Sequence, residues 1–238
     1  MSIVKLEHIN FAYQSQPVLK DLNLNIDKQQ ITCLLGSSGS GKTSILRLIA
    51  GLETPQQGKI YILDKLASID GQIIIPPYQR QTGFIFQDLA LWPHLNVYQN
   101  LAFGLQAQSV KNYEKIIDDT LKLFQLNDKA EKYPHQLSGG QKQLVAIARA
   151  LVLKPKILLM DEPLTGLDVK LKKQILTHIR KLIDNFDLSI VYVTHDHREA
   201  FAIADKIIVL NRGTIEAEGS PEDIKKSSNA YVQYFLEW

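Results

Sequence analysis

The sequence predicts an α/β fold with a mostly parallel central sheet, an N-terminal antiparallel β subdomain and a helical insertion subdomain. In the second half of the chain, short apolar segments alternate with segments of helical spacing, which favours a parallel sheet covered on both faces. Residues 2–11 instead alternate apolar and polar side chains, as strands do, and residues 18–26 show the same period of two after a polar turn. From Asp88 to about Pro134 the strand pattern gives way to helical spacing. The predicted division is a core of residues 1–87 and 155–238 and a helical subdomain of residues 88–154.

A glycine-rich loop lies between a predicted strand and a predicted helix. Gly36 to Thr43 fits the phosphate-binding pattern G-x-x-x-x-G-K-[ST] and follows the apolar run Ile31–Leu35. Its glycines let backbone N–H groups converge on phosphate oxygens, and the helix start adds positive potential. Lys42 is predicted to reach the β- and γ-phosphates, and Thr43 to offer its hydroxyl to Mg²⁺. The motif predicts a nucleotide-binding P-loop NTPase whose phosphate-binding residues are Gly36, Ser37, Ser38, Gly39, Ser40, Gly41, Lys42, Thr43 and Ser44.

The composition fits a globular protein with a full core. The chain has 238 residues, of which 45% are hydrophobic. Its 27 basic and 25 acidic residues give a formal net charge of +2, which is too even to predict nucleic-acid binding. No uninterrupted apolar run reaches about 18 residues, so no transmembrane helix is predicted. Cys33 is the only cysteine and is predicted to be a small core residue in a reducing compartment.

Polar residues follow three short apolar strands downstream of the loop. Asp161 and Glu162 follow one strand, His195 follows a second and Gln87 follows a third. Ligands bind at the carboxyl ends of strands in open α/β sheets. We therefore predict Asp161 as a Mg²⁺ ligand and Glu162 as the residue that polarises the attacking water. His195 is predicted to contact the γ-phosphate and Gln87 to reach the metal or the water, although each residue alone also fits a structural role.

A second anion site is predicted at the start of a later helix, Lys142–Leu153. The preceding residues, Leu137–Gln141, read Leu-Ser-Gly-Gly-Gln. Ser138 is a favourable N-cap, and the two glycines leave the first N–H groups of the helix exposed to an anion. A plain helix cap explains the same residues. However, one nucleotide needs one phosphate cradle, so a second suggests contact with a nucleotide that another subunit holds.

These motifs and their order along the chain resemble those of the ATP-binding subunit of ATP-binding cassette (ABC) transporters. The similarity extends from about Ile3 to Ile224. Taken alone, Tyr13 also fits an edge-strand aromatic, but the resemblance implies that adenine stacks on it. The resemblance implies ATP-binding residues Tyr13, Val18, Gly36 to Ser44, Ser138, Gly139, Gly140, Gln141 and Asp168; Mg²⁺ ligands Thr43, Gln87 and Asp161; and catalytic residues Glu162, His195 and Gln87.

The same resemblance implies partners and a location. Two such domains pair head to tail in that family, and each ATP lies between the glycine-rich loop of one subunit and the signature of the other, the family motif that Leu137–Gln141 matches. ATP and Mg²⁺ are the implied cofactors. The implied partners are a second ATP-binding subunit, expected to be another copy of this chain, transmembrane permease subunits and, indirectly, a solute-binding protein. The implied location is the cytoplasmic face of the inner cell membrane.

The segment after Gln87 resembles importer ATPases of the maltose, polyamine and ferric-iron type. In those proteins the region receives a coupling helix from the membrane subunit, so we expect Leu91–Leu95 to lie near that groove. Charged substitution at Leu91 or Trp92 is expected to uncouple transport from hydrolysis, although these side chains also fit the core of the insertion itself. Such importers often carry a C-terminal regulatory domain, which the chain is expected to lack.

Three alternatives remain beside the importer. The energising subunit of an exporter or of a lipid-extraction complex would share all of this chemistry. A soluble ABC ATPase of DNA repair or translation is disfavoured, because residues 87–137 show no sustained heptads and no cysteine cluster. A P-loop kinase is disfavoured because Glu162 and the signature imply water as the acceptor and a composite dimer site.

Overall fold

The chain folds into eleven strands and eight α-helices within residues 2–236, which the computed structural model describes apart from the side chains at positions 184 and 185. The strands are β1 (Ser2–Tyr13), β2 (Gln16–Asp27), β3 (Ile31–Gly36), β4 (Gln57–Ile62), β5 (Lys65–Ile69), β6 (Gln72–Ile73), β7 (Thr82–Ile85), β8 (Ile157–Asp161), β9 (Ser189–Thr194), β10 (Lys206–Asn211) and β11 (Thr214–Gly219). The helices are α1 (Lys42–Ala50), α2 (Val97–Ala107), α3 (Tyr113–Leu123), α4 (Gly139–Leu151), α5 (Val169–Asn185), α6 (His197–Ile203), α7 (Pro221–Lys225) and α8 (Ala230–Leu236). In this part of the chain no helix has the length and apolar character to cross a membrane.

The strands form two sheets. The larger has the order β11-β10-β3-β9-β8-β7, in which β10 to β7 pair in parallel and β11 pairs antiparallel with β10. The smaller has the order β2-β1-β4-β5-β6, and all of its pairs are antiparallel. Helices α2, α3 and α4 lie in the chain between β7 and β8. The predicted fold class, with its parallel central sheet, antiparallel N-terminal sheet and helical insertion, is confirmed.

Strand β3 is buried on both faces and joins two apolar clusters. Ile31, Cys33 and Leu35 pack into a cluster that also contains side chains of α2 to α6. Leu34 points the other way, into a cluster with α1 and the antiparallel sheet. Alternate side chains of a strand point to opposite faces, so an apolar run such as Ile31–Gly36 suits a sheet covered on both sides. The loop that follows β3 therefore leaves a strand that is fixed from both sides.

Helix α4 begins three residues earlier than the sequence predicted. It starts at Gly139 and ends at Leu151, instead of running from Lys142 to Leu153. The reason is a capping box: the Gln141 N–H donates to Ser138 Oγ at 3.3 Å, and the Ser138 N–H donates to Gln141 Oε1 at 3.0 Å. These bonds offset the low helix propensity of the two glycines.

A buried arginine connects the antiparallel sheet to α1. Arg80 is 1% exposed, and its guanidinium donates to the carbonyls of Leu48 (2.9 Å) and Ile49 (3.0 Å) at the end of α1. It also donates to Ser68 Oγ in β5 at 2.7 Å. Burial lowers the pKa of Arg80 to about 10, which leaves it charged at neutral pH. A cation at a helix C-terminus is favourable, because it satisfies the last carbonyls and the helix dipole.

Candidate functional site

The phosphate-binding loop has a backbone that requires glycine. Gly39 and Gly41 have φ values of 78° and 102°, in the region that other residues rarely adopt. A Cβ at Gly41 would also lie 2.6 Å from a methyl carbon of Leu19. The loop runs directly into α1, so the first N–H groups of that helix face the loop concavity. This arrangement is suited to holding a phosphate.

Lys42 lies with its ammonium group inside the loop. Its Nζ donates to the carbonyl oxygens of Gly36 (2.9 Å) and Ser37 (2.8 Å). Burial lowers the pKa of Lys42, and the carboxylates of Glu162 and Asp161 act in the opposite direction. An incoming phosphate would compensate this partly desolvated cation better than the two carbonyls do.

A hydroxyl and a carboxylate meet beside the loop. Thr43 Oγ1 donates to Asp161 Oδ1 at 2.9 Å, and Asp161 is the last residue of β8. Burial raises the pKa of Asp161, and the hydrogen bond from Thr43 opposes that rise. Both groups are hard oxygen donors of the kind that Mg²⁺ prefers. The pair therefore fits a shared magnesium site, with further ligands from phosphate and water.

Because Asp161 has a raised pKa, its ionised form weakens the folded protein. The folded state binds this proton more tightly than the unfolded state, so the penalty is absent at low pH and appears as pH rises through the raised pKa. In EDTA at pH 7 we expect Asp161→Asn to raise the melting temperature by about 2 °C. Calorimetry at pH 7 and pH 4 measures this, and the gain should shrink at pH 4. A lower melting temperature of Asp161→Asn at pH 7 would contradict a destabilising effect of the buried, ionised Asp161 carboxylate.

Glu162 has a strained backbone that its neighbours hold in place. Its φ is 44°, and its N–H donates to the Val193 carbonyl of β9 at 3.0 Å. Its Oε2 lies 3.0 Å from Nδ1 of His195 and accepts a hydrogen bond from Thr165 Oγ1 at 3.3 Å. Strain of this kind concentrates at functional sites, where surrounding contacts maintain it. Here the contacts fix a carboxylate next to an imidazole at the edge of the pocket.

One pocket of about 710 Å³ collects most of the predicted residues. Its walls include Tyr13 and Val18, most of the loop, and Ser44 directly after the loop. Gln87 and the Glu162–His195 pair complete them. Gly36, Ser40 and Asp161 do not line it. Gly36 and Ser40 bond to the Lys42 ammonium, and Asp161 bonds to Thr43. The full lining is Tyr13, Val18, Ser37, Ser38, Gly39, Gly41, Lys42, Thr43, Ser44, Gln87, Glu162, His195 and Phe235.

The signature residues lie outside this pocket. Ser138 to Gln141 form the start of α4, and a Cβ at Gly140 would lie 2.7 Å from a methyl carbon of Leu171. Asp168 caps the neighbouring helix α5, because its Oδ1 accepts from the Leu171 N–H at 3.0 Å. The two helix starts are thus packed together. Within one chain they do not contribute to the pocket around Lys42.

A buried carboxylate that the sequence did not reveal supports the segment around His195. Glu199 Oε2 accepts from the hydroxyls of Tyr192 (2.8 Å) and Thr194 (3.0 Å). Its other oxygen accepts from Lys172 Nζ of α5 at 2.7 Å. Burial lowers the pKa of Lys172, but the hydrogen bond and charge of Glu199, together with Asp196, raise it overall. The network joins α5, β9 and α6 on either side of His195.

Comparison with known proteins gives consistent matches. A family profile described as "ABC transporter" matches residues 19–165. The sulfate/thiosulfate import ATP-binding protein CysA of Bacillus cereus is 42% identical over 242 residues, which cover 98% of this chain and 66% of that protein. The spermidine/putrescine import ATP-binding protein PotA of Legionella pneumophila is 40% identical, over 98% of this chain and 64% of that protein. The chain thus spans about two thirds of the length of these curated relatives.

Solved structures agree with the sequence matches. The structure of cbiO1 from Clostridium perfringens, part of the ABC transporter complex cbiONQ, has a TM-score of 0.84 and 30% identity, and covers 99% of this chain and 96% of that one. A dimeric post-hydrolysis state of the ATP-binding cassette MJ0796, bound to ADP and Pi, has a TM-score of 0.80 and 33% identity, over 92% and 98% of the two chains. With its fold, its loop and its family profile all in agreement, this chain belongs to the ABC transporter family.

Proposed function

We propose that the chain is the ATP-binding and ATP-hydrolysing subunit of an ABC importer, on the cytoplasmic face of the cell membrane. The observation that supports this most directly is the pocket itself. Its walls hold the Lys42 loop and the Glu162–His195 pair, and Thr43 in the wall bonds to Asp161. Transfer of a phosphoryl group to water needs these parts: a phosphate cradle, a divalent ion and a positioned water.

In this proposal each group has one role. The loop and Lys42 bind the triphosphate, and Tyr13 provides a ring for the adenine. Thr43 and Asp161 would hold Mg²⁺, which when bound supplies Lewis-acid stabilisation of charge on the phosphates. Glu162 accepts a proton from the attacking water. His195 contacts Glu162 through Nδ1 at 3.0 Å and keeps its other ring nitrogen for the γ-phosphate.

We propose that a second copy of the chain completes the site. The signature Ser138–Gln141 forms the start of α4, where the capping box uses the N–H groups of Ser138 and Gln141 and leaves those of Gly139 and Gly140 for an anion. It does not line the pocket around Lys42 in its own chain. A two-fold axis would place it against the partner's ATP, and the same contact would then occur twice. Asp168, next to the signature, is proposed to link the two sites. Residues 88–154, which include α2 to α4, are proposed to move as a helical subdomain.

The import role is proposed from the relatives. Their names describe import of sulfate or thiosulfate and of spermidine or putrescine, and their identities to this chain, 42% and 40%, are nearly equal. Because anion and cation importers match equally well, the ATPase sequence does not select the solute. We therefore propose a small solute that passes through separate transmembrane permease subunits, with a solute-binding protein as an indirect partner.

Hydrolysis is tested directly with the purified chain. With ATP and Mg²⁺ we expect the chain to release inorganic phosphate, which a phosphate-sensing assay measures. EDTA should stop this release. Nucleoside monophosphates added to the same reaction should remain unphosphorylated. Transfer of phosphate to such an acceptor, with none released to water, would replace this proposal with a kinase.

The proposed permease contact is an aromatic patch made of Trp92 and Phe103. Their ring centroids lie 4.3 Å apart, and Phe103 is 49% exposed. The guanidinium of Arg149 lies 4.8 Å from the Trp92 ring centroid and donates to the Leu89 carbonyl at 2.8 Å. These contacts hold the patch in a fixed orientation on the surface of the helical insertion. Trp92 is half-buried, and a fixed, partly exposed aromatic patch of this kind is well suited to receive a helix from another subunit.

We expect Trp92→Asp to reduce the fraction of the chain that sediments with membranes of its native cells about tenfold, because a desolvated aromatic contact is lost. ATP hydrolysis by the purified variant should stay within about twofold of the original rate. Tyr78→Asp is the matched control, since Tyr78 is an aromatic residue with 79% exposure outside the patch. Equal sedimentation of the two variants would contradict a permease contact at Trp92.

A further inference from the structure

The C-terminal helix α8 packs beside the nucleotide pocket. Val232 and Leu236 are buried in the main apolar cluster. The start of the helix is fixed by Asn229, whose Oδ1 accepts from the N–H of Tyr231 at 2.9 Å and whose Nδ2 donates to the Glu216 carbonyl of β11 at 3.1 Å. The position of α8 is therefore set by the body of the protein at both ends.

Two aromatic side chains of α8 share the face toward the loop. Tyr231 and Phe235 are one helical turn apart, and their rings are stacked with centroids 6.0 Å apart. The hydroxyl of Tyr231 donates to Ser37 Oγ of the phosphate-binding loop at 3.4 Å. Ser37 in turn accepts from Lys42 through its carbonyl at 2.8 Å. Ser37 thus connects the Tyr231 hydroxyl to the Lys42 ammonium through one hydrogen bond to each.

Phe235 forms part of the pocket wall. It is half-buried, packs against the main cluster, and lines the same cavity as Ser37, Lys42 and His195. A nucleotide that fills this cavity would cover the exposed part of the ring. Covering this apolar surface would remove it from water and so stabilise the bound state.

We propose that Phe235 is a contact residue for the bound nucleotide and that Tyr231 is a positioning residue for the loop. This inference rests on the proposed ATP binding. It makes α8 part of the nucleotide-binding site, although Tyr231 lies 194 positions after Ser37 in the chain. Because coupling between binding events is reciprocal, a nucleotide that packs on Phe235 also stabilises the docked position of α8.

The first test compares nucleotide affinity among variants. A fluorescent ATP analogue is titrated into the original chain, Phe235→Ala, Tyr231→Phe and the control Tyr234→Ala, whose side chain is 74% exposed on the same helix. We expect Phe235→Ala to weaken binding about five- to tenfold, as for a partly buried aromatic contact. Tyr231→Phe, which removes one long hydrogen bond, should weaken it about twofold. Tyr234→Ala should bind like the original chain.

A second measurement separates contact from simple destabilisation. Hydrogen exchange of the α8 amides is followed with and without ATP in the original chain and in Phe235→Leu, which keeps most of the apolar volume. We expect ATP to slow exchange in the original chain, and to slow it less in the leucine variant. This readout decides the question even if Phe235→Ala fails to fold, which its thermal unfolding would show.

The outcomes distinguish the two levels of proposal. If the original chain binds no ATP analogue, the proposed function fails. If the original chain binds it while Phe235→Ala matches Tyr234→Ala, and ATP leaves α8 exchange unchanged, the inference is overturned and ATP binding stands. Weakened binding together with ATP-dependent protection of α8 supports both.

Discussion

Glu162→Gln is expected to stop turnover while leaving ATP binding intact. The amide keeps the shape of the side chain and still accepts a hydrogen bond at the Oε position, but it does not take a proton from water. Loss of a general base typically costs about 10² to 10⁴ in rate. We therefore expect phosphate release to fall by about that factor, and ATP-bound dimers to accumulate on size-exclusion chromatography.

The control for this substitution is Glu114→Gln, at an exposed position of α3. It makes the same change of charge at a residue that does not line the pocket and should leave turnover near its original rate. Rapid hydrolysis by Glu162→Gln would remove Glu162 as the base. In that case the bond between Glu162 and His195 would be structural, and His195 would be the next residue to test.

Ser138→Arg is expected to abolish ATP-dependent dimerisation and, with it, hydrolysis. The substitution adds bulk and charge at the start of α4, where the proposed partner's γ-phosphate would lie. It also removes a capping bond that is worth about 1 kcal/mol, which is too little to unfold the chain. ATP should still bind to the single subunit, because Ser138 does not line the pocket around Lys42. Light scattering with and without ATP measures the dimer. Titration with the fluorescent ATP analogue measures binding.

A matched control exists for the lost cap. Ser220 is the N-cap of α7 and also forms a capping box, here with Asp223. Ser220→Arg should cost similar stability while leaving the dimer and hydrolysis intact. Normal dimerisation of Ser138→Arg in ATP would refute the composite site. Loss of dimerisation in both variants would show that the effect is one of stability and not of the signature.

Candidate site residues could be chosen from the sequence because this chemistry is expected at the ends of strands. Asp161, Glu162 and His195 follow apolar runs, and buried parallel strands are the elements that such runs most readily form. The order β9-β8-β7 then brings the ends of these strands side by side, next to the loop after β3. That order is a long-range property that periodicity does not predict. The catalytic roles of these residues stay predictions that the variants above test.

Other features depend on contacts that no local pattern encodes. Arg80, Glu199 and Phe235 each look ordinary in the sequence, yet they respectively cap a helix, support the His195 segment and line the pocket. A polar residue becomes informative only once its burial is known, since burial without partners is costly. The left-handed backbone of Glu162 was equally hidden, because glutamate gives no signal for it.

Arg80 has a consequence for how the protein can be divided. All five N–H groups of its guanidinium are used, by Ile75, Leu48, Ile49, Ala67 and Ser68, and lysine has too few donors to replace it. Three of these five partners come from the segments around β5 and β6, and two from the end of α1. A fragment trimmed of the antiparallel sheet would therefore lose the three partners that hold Arg80 against the end of the helix that follows the loop. We therefore expect the smallest unit that binds nucleotide to include that sheet, although no residue of β4, β5 or β6 lines the pocket.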